Sequence, residues 1–435
     1  MPLQLFFVRF VLLTSLLCST AATLVLPPLQ RSPVRKQLLE RRPRPGLVRQ
    51  EAHALLHQAT PQAPFRKEAF MRPVVSGAKD TAVLEVARLD IFGFPFYVTY
   101  VAFGNPPQPF ALLLDLSYGG AVVRSVDCPD HGSFNDCGGR PFKYNHSASS
   151  TSHDPELRFG VRLAGHTARG SMFNDTMHIV SLQMQNATVG AIDVFYGENL
   201  GYSILSEALG LGRPNRTSLS YFGGYEGDIK SHPNFLYELV ASGTLARNVM
   251  TLSLPKRKNE RGRLVLGEES PPAKYRIPLS QTSATKWLHE GWIVDLDRIQ
   301  FVGNAIPLDI SLSAFAAFSL ESDFALALPG DLVDAIYDYL GARSTEELDA
   351  GLINCEVRAN LPNLTLTLGD QPITLEWWEY TGVWQDLFTG ERFCVVEIQR
   401  MYYGDRESAM LGLPLLKKFD ISFDMERNEI GCMLV

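Results

Sequence analysis

From about Leu89 to its C-terminus the chain is written as short apolar, β-branched and aromatic runs divided by turn residues. Tyr97 to Phe103, Phe110 to Leu114, Leu264 to Gly267, Trp292 to Asp295, Leu364 to Leu368 and Ile421 to Asp424 have the length and residue types of strands. Helical periods are few, the best being Pro233 to Gly243, Pro329 to Gly341 and Ser344 to Gly351. Strands this dense and this short predict a mainly β fold with a few short helices. At 435 residues the chain has room for two or three ordinary domains, or for one bilobal body behind a leader. Its 46% hydrophobic and 20% charged residues exclude collagenous, disordered and membrane-bundle classes.

The front of the chain has a different texture. Leu5 to Leu17 is apolar apart from Arg9, Thr14 and Ser15, and small residues, Ser19-Thr20-Ala21-Ala22, follow it. That pattern predicts a signal peptide over residues 1–22, because the apolar run is too short to span a bilayer comfortably. A buried hydrophobic helix is the competing reading, disfavoured by the small-residue exit. No later run reaches the ~20 apolar residues of a membrane span, so the expected product is exported, with no membrane span. Residues 23–86 are rich in Pro, Arg, Gln and Ala and read either as a basic, propeptide-like leader or as a solvated tail. Through Arg72 there are 11 Lys and Arg against 3 Asp and Glu, a net of +8; the rest holds 29 against 44, a net of −15. A basic front on an acidic body is not the profile of a nucleic-acid binder, and it suggests a leader lying across the body by charge attraction.

Five cysteines remain once Cys18 leaves with the signal. Spacing suggests the pairs Cys128–Cys137 and Cys355–Cys394, with Cys432 left over as a small buried residue or, less favoured, an intermolecular link. Neither a CxxC pair nor a metal-like histidine spacing is present, so no metal or cofactor is expected. Asn145, Asn174, Asn186, Asn215 and Asn363 each open an Asn-x-Ser/Thr sequon, which a secretory route exposes to glycosylation.

Specific motifs then add a resemblance. The stretch Tyr97 to Asp115 contains Gly104-Asn-Pro106-Pro107-Gln108 and an apolar run ending on Asp115, and it resembles the opening strands of pepsin-like aspartic proteases. Ala208-Leu-Gly-Leu-Gly212, Arg263-Leu-Val-Leu-Gly267, Trp292 to Ile299, Leu361 to Gly369 and Met410-Leu-Gly412 through Asp424 resemble later markers of that family in the same order. The resemblance implies a bilobal pepsin-like acid protease fold with a central inter-lobe cleft. On it, residues 87–255 form the N-terminal lobe, the polar, basic stretch 256–263 the link and 264–435 the C-terminal lobe. Cys128 and Cys137 fall where the family places a small disulfide loop, and Cys355 and Cys394 where it has its second-lobe bridge.

The family's chemistry needs one carboxylate from each lobe, sharing a proton and holding a water between them. Each sits in an Asp-Thr/Ser-Gly loop, whose hydroxyl ties the two loops together and whose glycine admits close backbone approach. Here the first loop reads Asp115-Leu116-Ser117, so the carboxylate stays while hydroxyl and glycine change. In the second loop, counting back from Leu328-Pro329 without a gap puts Leu320 at the aspartate, Glu321 at the hydroxyl and Ser322 at the glycine. A one-residue deletion instead brings up Glu321, with Asp323 next to it, but such a slip turns a strand's side chains to the opposite face. The flap tyrosine position falls on Leu163, beside Gly165, and Leu413 stands where the closing motif usually has an aspartate. His166 and Arg169 are possible ligand contacts near the flap; Trp377 and Trp378 pack on the second lobe or meet a ligand.

The sequence therefore predicts a secreted, monomeric glycoprotein with the body of an aspartic protease and a degenerate site. Its expected partner is a peptide, glycan or protein held in the cleft or on the surface. The rival is an active acid endopeptidase pairing Asp115 with Glu321 or Asp323.

Overall fold

A computed structural model describes residues 81–435 apart from 92–93, 130–142, 164–165, 181, 197–206, 214–233, 258–259, 270–271, 281–290, 304–306, 321–324, 346–349, 386–391, 402–407 and 435. The expected signal and most of the expected leader lie outside the described residues.

The first lobe is built from β1 (Ala82–Ile91), β2 (Phe94–Phe103), β3 (Gln108–Asp115), β4 (Ala121–Arg124), β5 (Arg158–Leu163), β6 (His166–Ile179), β7 (Leu182–Tyr196) and β8 (Ala208–Gly210). Helix α1 (Phe235–Ala241) follows, then β9 (Val249–Ser253), β10 (Arg261–Leu266) and β11 (Tyr275–Pro278). The second lobe holds β12 (Ile293–Val302), β13 (Leu308–Phe318), β14 (Leu326–Leu328), helix α2 (Gly330–Leu340), β15 (Arg343–Thr345), β16 (Ala350–Ile353), β17 (Asn363–Leu368) and β18 (Gln371–Leu375). It continues with β19 (Thr381–Gln385), β20 (Arg392–Val396), β21 (Ile398–Arg400), β22 (Ser408–Leu411) and α3 (Leu413–Lys418). The last strands, β23 (Phe419–Asp424) and β24 (Glu429–Leu434), leave the second lobe and rejoin the first sheet.

That first sheet runs β11-β24-β23-β9-β10-β1-β2-β3-β8-β4-β7-β6-β5. The second lobe carries a seven-stranded sheet, β18-β17-β12-β13-β22-β14-β21, and a small one, β15-β16-β20-β19. One apolar core runs through both lobes, and Trp292 is buried between them. Its indole donates to Leu211 O at 2.8 Å and its ring meets Phe423 at 4.8 Å. A fully buried side chain of this size contributes on the order of 2–3 kcal/mol.

Local sequence explains most elements. In β17 and β18, Leu364, Leu366, Leu368, Ile373 and Leu375 alternate inward at period two. In β12 the buried set is Val294 and Leu296, then Ile299 and Phe301, because a bulge at Leu296/Arg298 inserts one residue and restores the inward phase. Helix α2 buries Val333, Ile336, Tyr337 and Leu340, one stripe of a 3.6-residue period. It ends at Gly341, whose φ of 66° is the left-handed cap that glycine takes without penalty.

Three expectations change. Ser344 to Gly351 is not a helix: Arg343, Ser344 and Thr345 pair with Leu352, Gly351 and Ala350 across two strands. Long-range pairing prevails over local helix propensity there, since β16 also pairs with β20 and Cys355 is bonded to Cys394. The stretch 256–263 does not link lobes, because Arg261 to Arg263 open β10, which is paired to β1 and β9 within one sheet. The body also starts before residue 87, as β1 begins at Ala82 and pairs with Leu266 there.

Candidate functional site

The site grows from a pattern that occurs once in each lobe. In the first, β8 runs parallel to β3 (Leu113↔Ala208, Leu114↔Leu209, Asp115↔Gly210) and antiparallel to β4 (Ala121↔Leu209, Val122↔Ala208). In the second, β22 runs parallel to β13 (Ala317↔Met410, Phe318↔Leu411) and antiparallel to β14 (Leu326↔Leu411, Ala327↔Met410). Leu209 and Leu411 thus hold matching places, each flanked by a strand entering and a strand leaving a loop.

In the first loop Asp115 ends β3 and is 1% exposed. Its Oδ1 accepts from the Ser117 amide at 2.7 Å and the Ser117 hydroxyl at 2.6 Å. Its Oδ2 has no hydrogen-bond partner among the described residues. Burial raises the pKa of this carboxyl above the usual range, opposed by the hydrogen bonds from Ser117 and the Tyr118 backbone. The loop is closed by Leu211 N to Asp115 O, Gly212 N to Tyr118 O and Gly210 N to Gly120 O, each 2.6 Å. Gly210 is required, since a Cβ there would lie 2.3 Å from Tyr118 O. Leu116, at the expected hydroxyl position, is buried in the core.

The second loop is one residue longer. Seven steps separate Leu114 from Ala121, both level with Leu209; eight separate Phe318 from Leu326, both level with Leu411. Counting back from β14 gives Leu320 as the counterpart of Asp115, as the ungapped sequence reading does. Counting forward from β13 gives Ser319, whose amide donates to Leu411 O at 2.9 Å. Neither residue carries a carboxylate. Leu320 is buried in the core, and Glu321, Ser322 and Asp323 lie outside the described residues.

The expected flap is the β5–β6 hairpin, with Leu163 paired to His166 and Gly160 to Arg169. Gly165 lies outside the described residues. Leu413 opens α3 and is buried. Cys355 is bonded to Cys394; Cys128 is disulfide-bonded, and Cys137 falls outside the described residues. Cys432 is free and fully buried in β24, and burial pushes its thiol up to about 12. Trp377 packs beneath Arg358, whose guanidinium carbon stands 5.1 Å from the ring centre, while Trp378 is 50% exposed. Asn186 and Asn363 are exposed, Asn145 and Asn174 half-buried; Asn215 is outside the described residues. Among the described residues no cluster of three or more His, Cys, Asp or Glu has metal-site geometry. Nor is any helix among them long and apolar enough to cross a membrane.

Sequence reasoning treated Ser117 only as a lost glycine and missed it as the donor that holds Asp115. It used Asn174-Asp175-Thr176 as a sequon and as the point from which the flap was counted back, and gave Asp175 no structural role. Asp175 is fully buried and accepts from Tyr144 Oη at 2.7 Å, Ser149 Oγ at 2.9 Å and Thr151 Oγ1 at 2.5 Å, fixing the base of the β6–β7 ribbon. The signal was an Asp at an inward strand position, which is rare without partners.

Residues 96–435 match the family model for eukaryotic aspartyl proteases. The chain belongs to the eukaryotic aspartyl protease family. Gastricsin of Callithrix jacchus is 22% identical over 338 residues, covering 77% of this chain and 80% of its own. Vacuolar protease A of Aspergillus fumigatus is 24% identical over 366 residues, covering 81% and 83%. Among solved structures, the aspartic proteinase from Irpex lacteus superposes with a TM-score of 0.64 at 18% identity, over 82% of this chain and 97% of that one. The bilobal pepsin-like aspartic protease fold expected from the motifs is therefore the fold of this chain.

Proposed function

We propose that this aspartyl protease homologue is a pseudoprotease: a secreted, glycosylated, monomeric chain that binds a peptide, glycan or protein in the inherited cleft without cutting it. The observation that supports this reading is the mismatch between the two loops. Asp115 is buried with its Oδ1 held by Ser117, while its counterpart by either count, Ser319 or Leu320, has no carboxylate. A lone carboxyl cannot act as base toward water and as acid toward a carbonyl in the same step, which is what two carboxylates sharing one proton achieve. Leu116 removes the hydroxyl that would tie the loops together. Export through residues 1–22, and a leader ending ahead of β1, belong to the same proposal; the absence of an apolar spanning helix among the described residues fits it.

The test is peptide cleavage by the purified secreted chain, freed of its leader, from about pH 3 to 6, where a carboxylate pair can hold one proton. The expected result is no turnover, and no difference from Asp115→Ala. Turnover abolished in Asp115→Ala would overturn the reading and make Glu321 or Asp323 the second carboxylate.

A further inference from the structure

A cationic surface that the cleft does not use lies where β9 turns into β10. Residues 256–263 hold five Lys and Arg against one Glu, a net of +4. Without them, residues 73–435 carry 24 Lys and Arg against 43 Asp and Glu, a net of −19. The one acid of the stretch holds the turn. Glu260 Oε2 accepts from the Lys256 amide at 2.9 Å and from the Arg257 amide at 3.0 Å, and its Oε1 stands 3.6 Å from Arg257 Nε. Gly262 lets the turn lie against β10, since a Cβ there would meet Ser253 O at 2.3 Å and Pro255 Cδ at 2.6 Å. Lys256 and Arg257 are exposed, Arg257 over 87% of its side chain. Arg261 and Arg263 leave one face of β10 two residues, or about 7 Å, apart. Their side chains are 58% and 53% exposed. From β1 the Arg88 guanidinium donates to Lys256 O at 3.4 Å and adds a fifth cation at the base of the turn. Lys258 lies outside the described residues.

We propose that Lys256, Arg257, Arg261 and Arg263 form a docking surface for a sulfated polysaccharide. A Lys- and Arg-rich run gathered at one exposed turn of an acidic body is a local footprint for a polyanion. Its cations are spread over a turn and a strand face, which suits a chain of repeated anions better than one small ion. The acids that touch the patch compete weakly. Glu85 lies 3.1 Å from Arg261 and Asp420 3.4 Å from Arg263, and exposed pairs of this kind contribute about 0–1 kcal/mol. Repulsion from the rest of the body is screened beyond about 8 Å at physiological salt, so contacts at the patch decide. The leader is excluded as the occupant by its own net of +8 through Arg72. A nucleic acid is disfavoured by the acidic balance of the body. The surface is separate from the cleft and stands whether or not the cleft cuts peptides.

The test is binding to immobilised heparin by surface plasmon resonance. The purified chain is first freed of its leader, whose own positive charge would also bind. Binding is expected at 150 mM salt, weakening roughly a hundred-fold between 50 and 200 mM, because each cation that meets a sulfate frees condensed counterions. Lys256→Ala combined with Arg257→Ala should bind at least ten-fold more weakly and with a shallower salt dependence. Its melting temperature should be unchanged, because Glu260 holds the turn through backbone amides. Arg298→Ala, in the second lobe, should bind as the unaltered chain does. No binding at 150 mM salt, equal binding by the double variant, or equal binding to heparin stripped of its sulfates would each overturn the proposal. So would a tighter hold on a DNA duplex, or self-association at low salt that the double variant abolishes, which would give the patch to a nucleic acid or to a second copy of this chain.

Discussion

The two central loops share a scaffold and differ in what they hold. Around Leu209 and around Leu411 the chain makes the same parallel-then-antiparallel pairing, and in both a glycine amide closes the loop: Gly210 to Gly120 O, Gly412 to Ala325 O. The first loop is short, tightly bonded and ends on a buried acid. The second is one residue longer, its closing bond is 3.2 Å against 2.6 Å, and apolar Leu320 and Leu413 are buried beside it. Backbone ladders are kept by the packing of entire strands, so one tip residue can change without disturbing them. A carboxylate pair is kept only while the reaction needs it, since each buried acid costs stability when ionised.

The difference can be broken or sharpened by mutation. The largest effect is expected for Gly210→Ala, whose Cβ would meet Tyr118 O and Gly120 N at 2.3 and 2.7 Å. A loss of roughly 3 kcal/mol or more in denaturant unfolding is expected, and a tolerated alanine would show that the first loop is not tight. Removing the second-lobe bridge with Cys355→Ser, which opens a loop of 39 residues' separation, should cost about 2–4 kcal/mol. Hydrogen exchange should place that loss in β16 and β20 and leave the Asp115 loop unchanged.

Asp115→Asn should act in the opposite sense. The folded-state pKa of Asp115 is raised, so its contribution is whole below the unfolded value and drains as pH rises through the folded one. The asparagine chain should therefore melt a few degrees higher than the unaltered chain at pH 7 and no higher at pH 3, by calorimetry at both. The smallest effect is reserved for Arg298→Ala in the second lobe. It removes an exposed pair with Asp309, and the melting temperature should move by no more than about 1 °C.

The fold was legible because its markers are local. The Gly-x-Pro-Pro-Gln turn, the Ala208-Leu-Gly-Leu-Gly212 run and the alternating leucines of β17 announce elements that form as they read. The segment 344–351 was misread because its helical look is local, while its strands depend on Cys394 and β20, some forty residues on. The stretch 256–263 was misread because polarity marks a turn inside a sheet as well as a link between lobes. At the site, Asp115 at the end of an apolar strand was readable by counting. The extra residue of the second loop was not, because it appears only when ladder registers on both sides of Leu411 are compared. Ser117 was missed as a donor because its bonds to Asp115 depend on a loop conformation that no spacing rule encodes, and Asp175 because its donors Tyr144, Ser149 and Thr151 come from elsewhere in the chain.

Whether Asp115 stands alone is tested most directly by titrating its ¹³C-labelled carboxyl between about pH 2 and pH 9. Two carboxylates sharing a proton titrate as a coupled pair in two steps. A solitary buried acid should give one step, displaced upward and unchanged by Glu321→Gln or Asp323→Asn. Two steps, one of them abolished by either substitution, would contradict the account and return the chain to the active proteases.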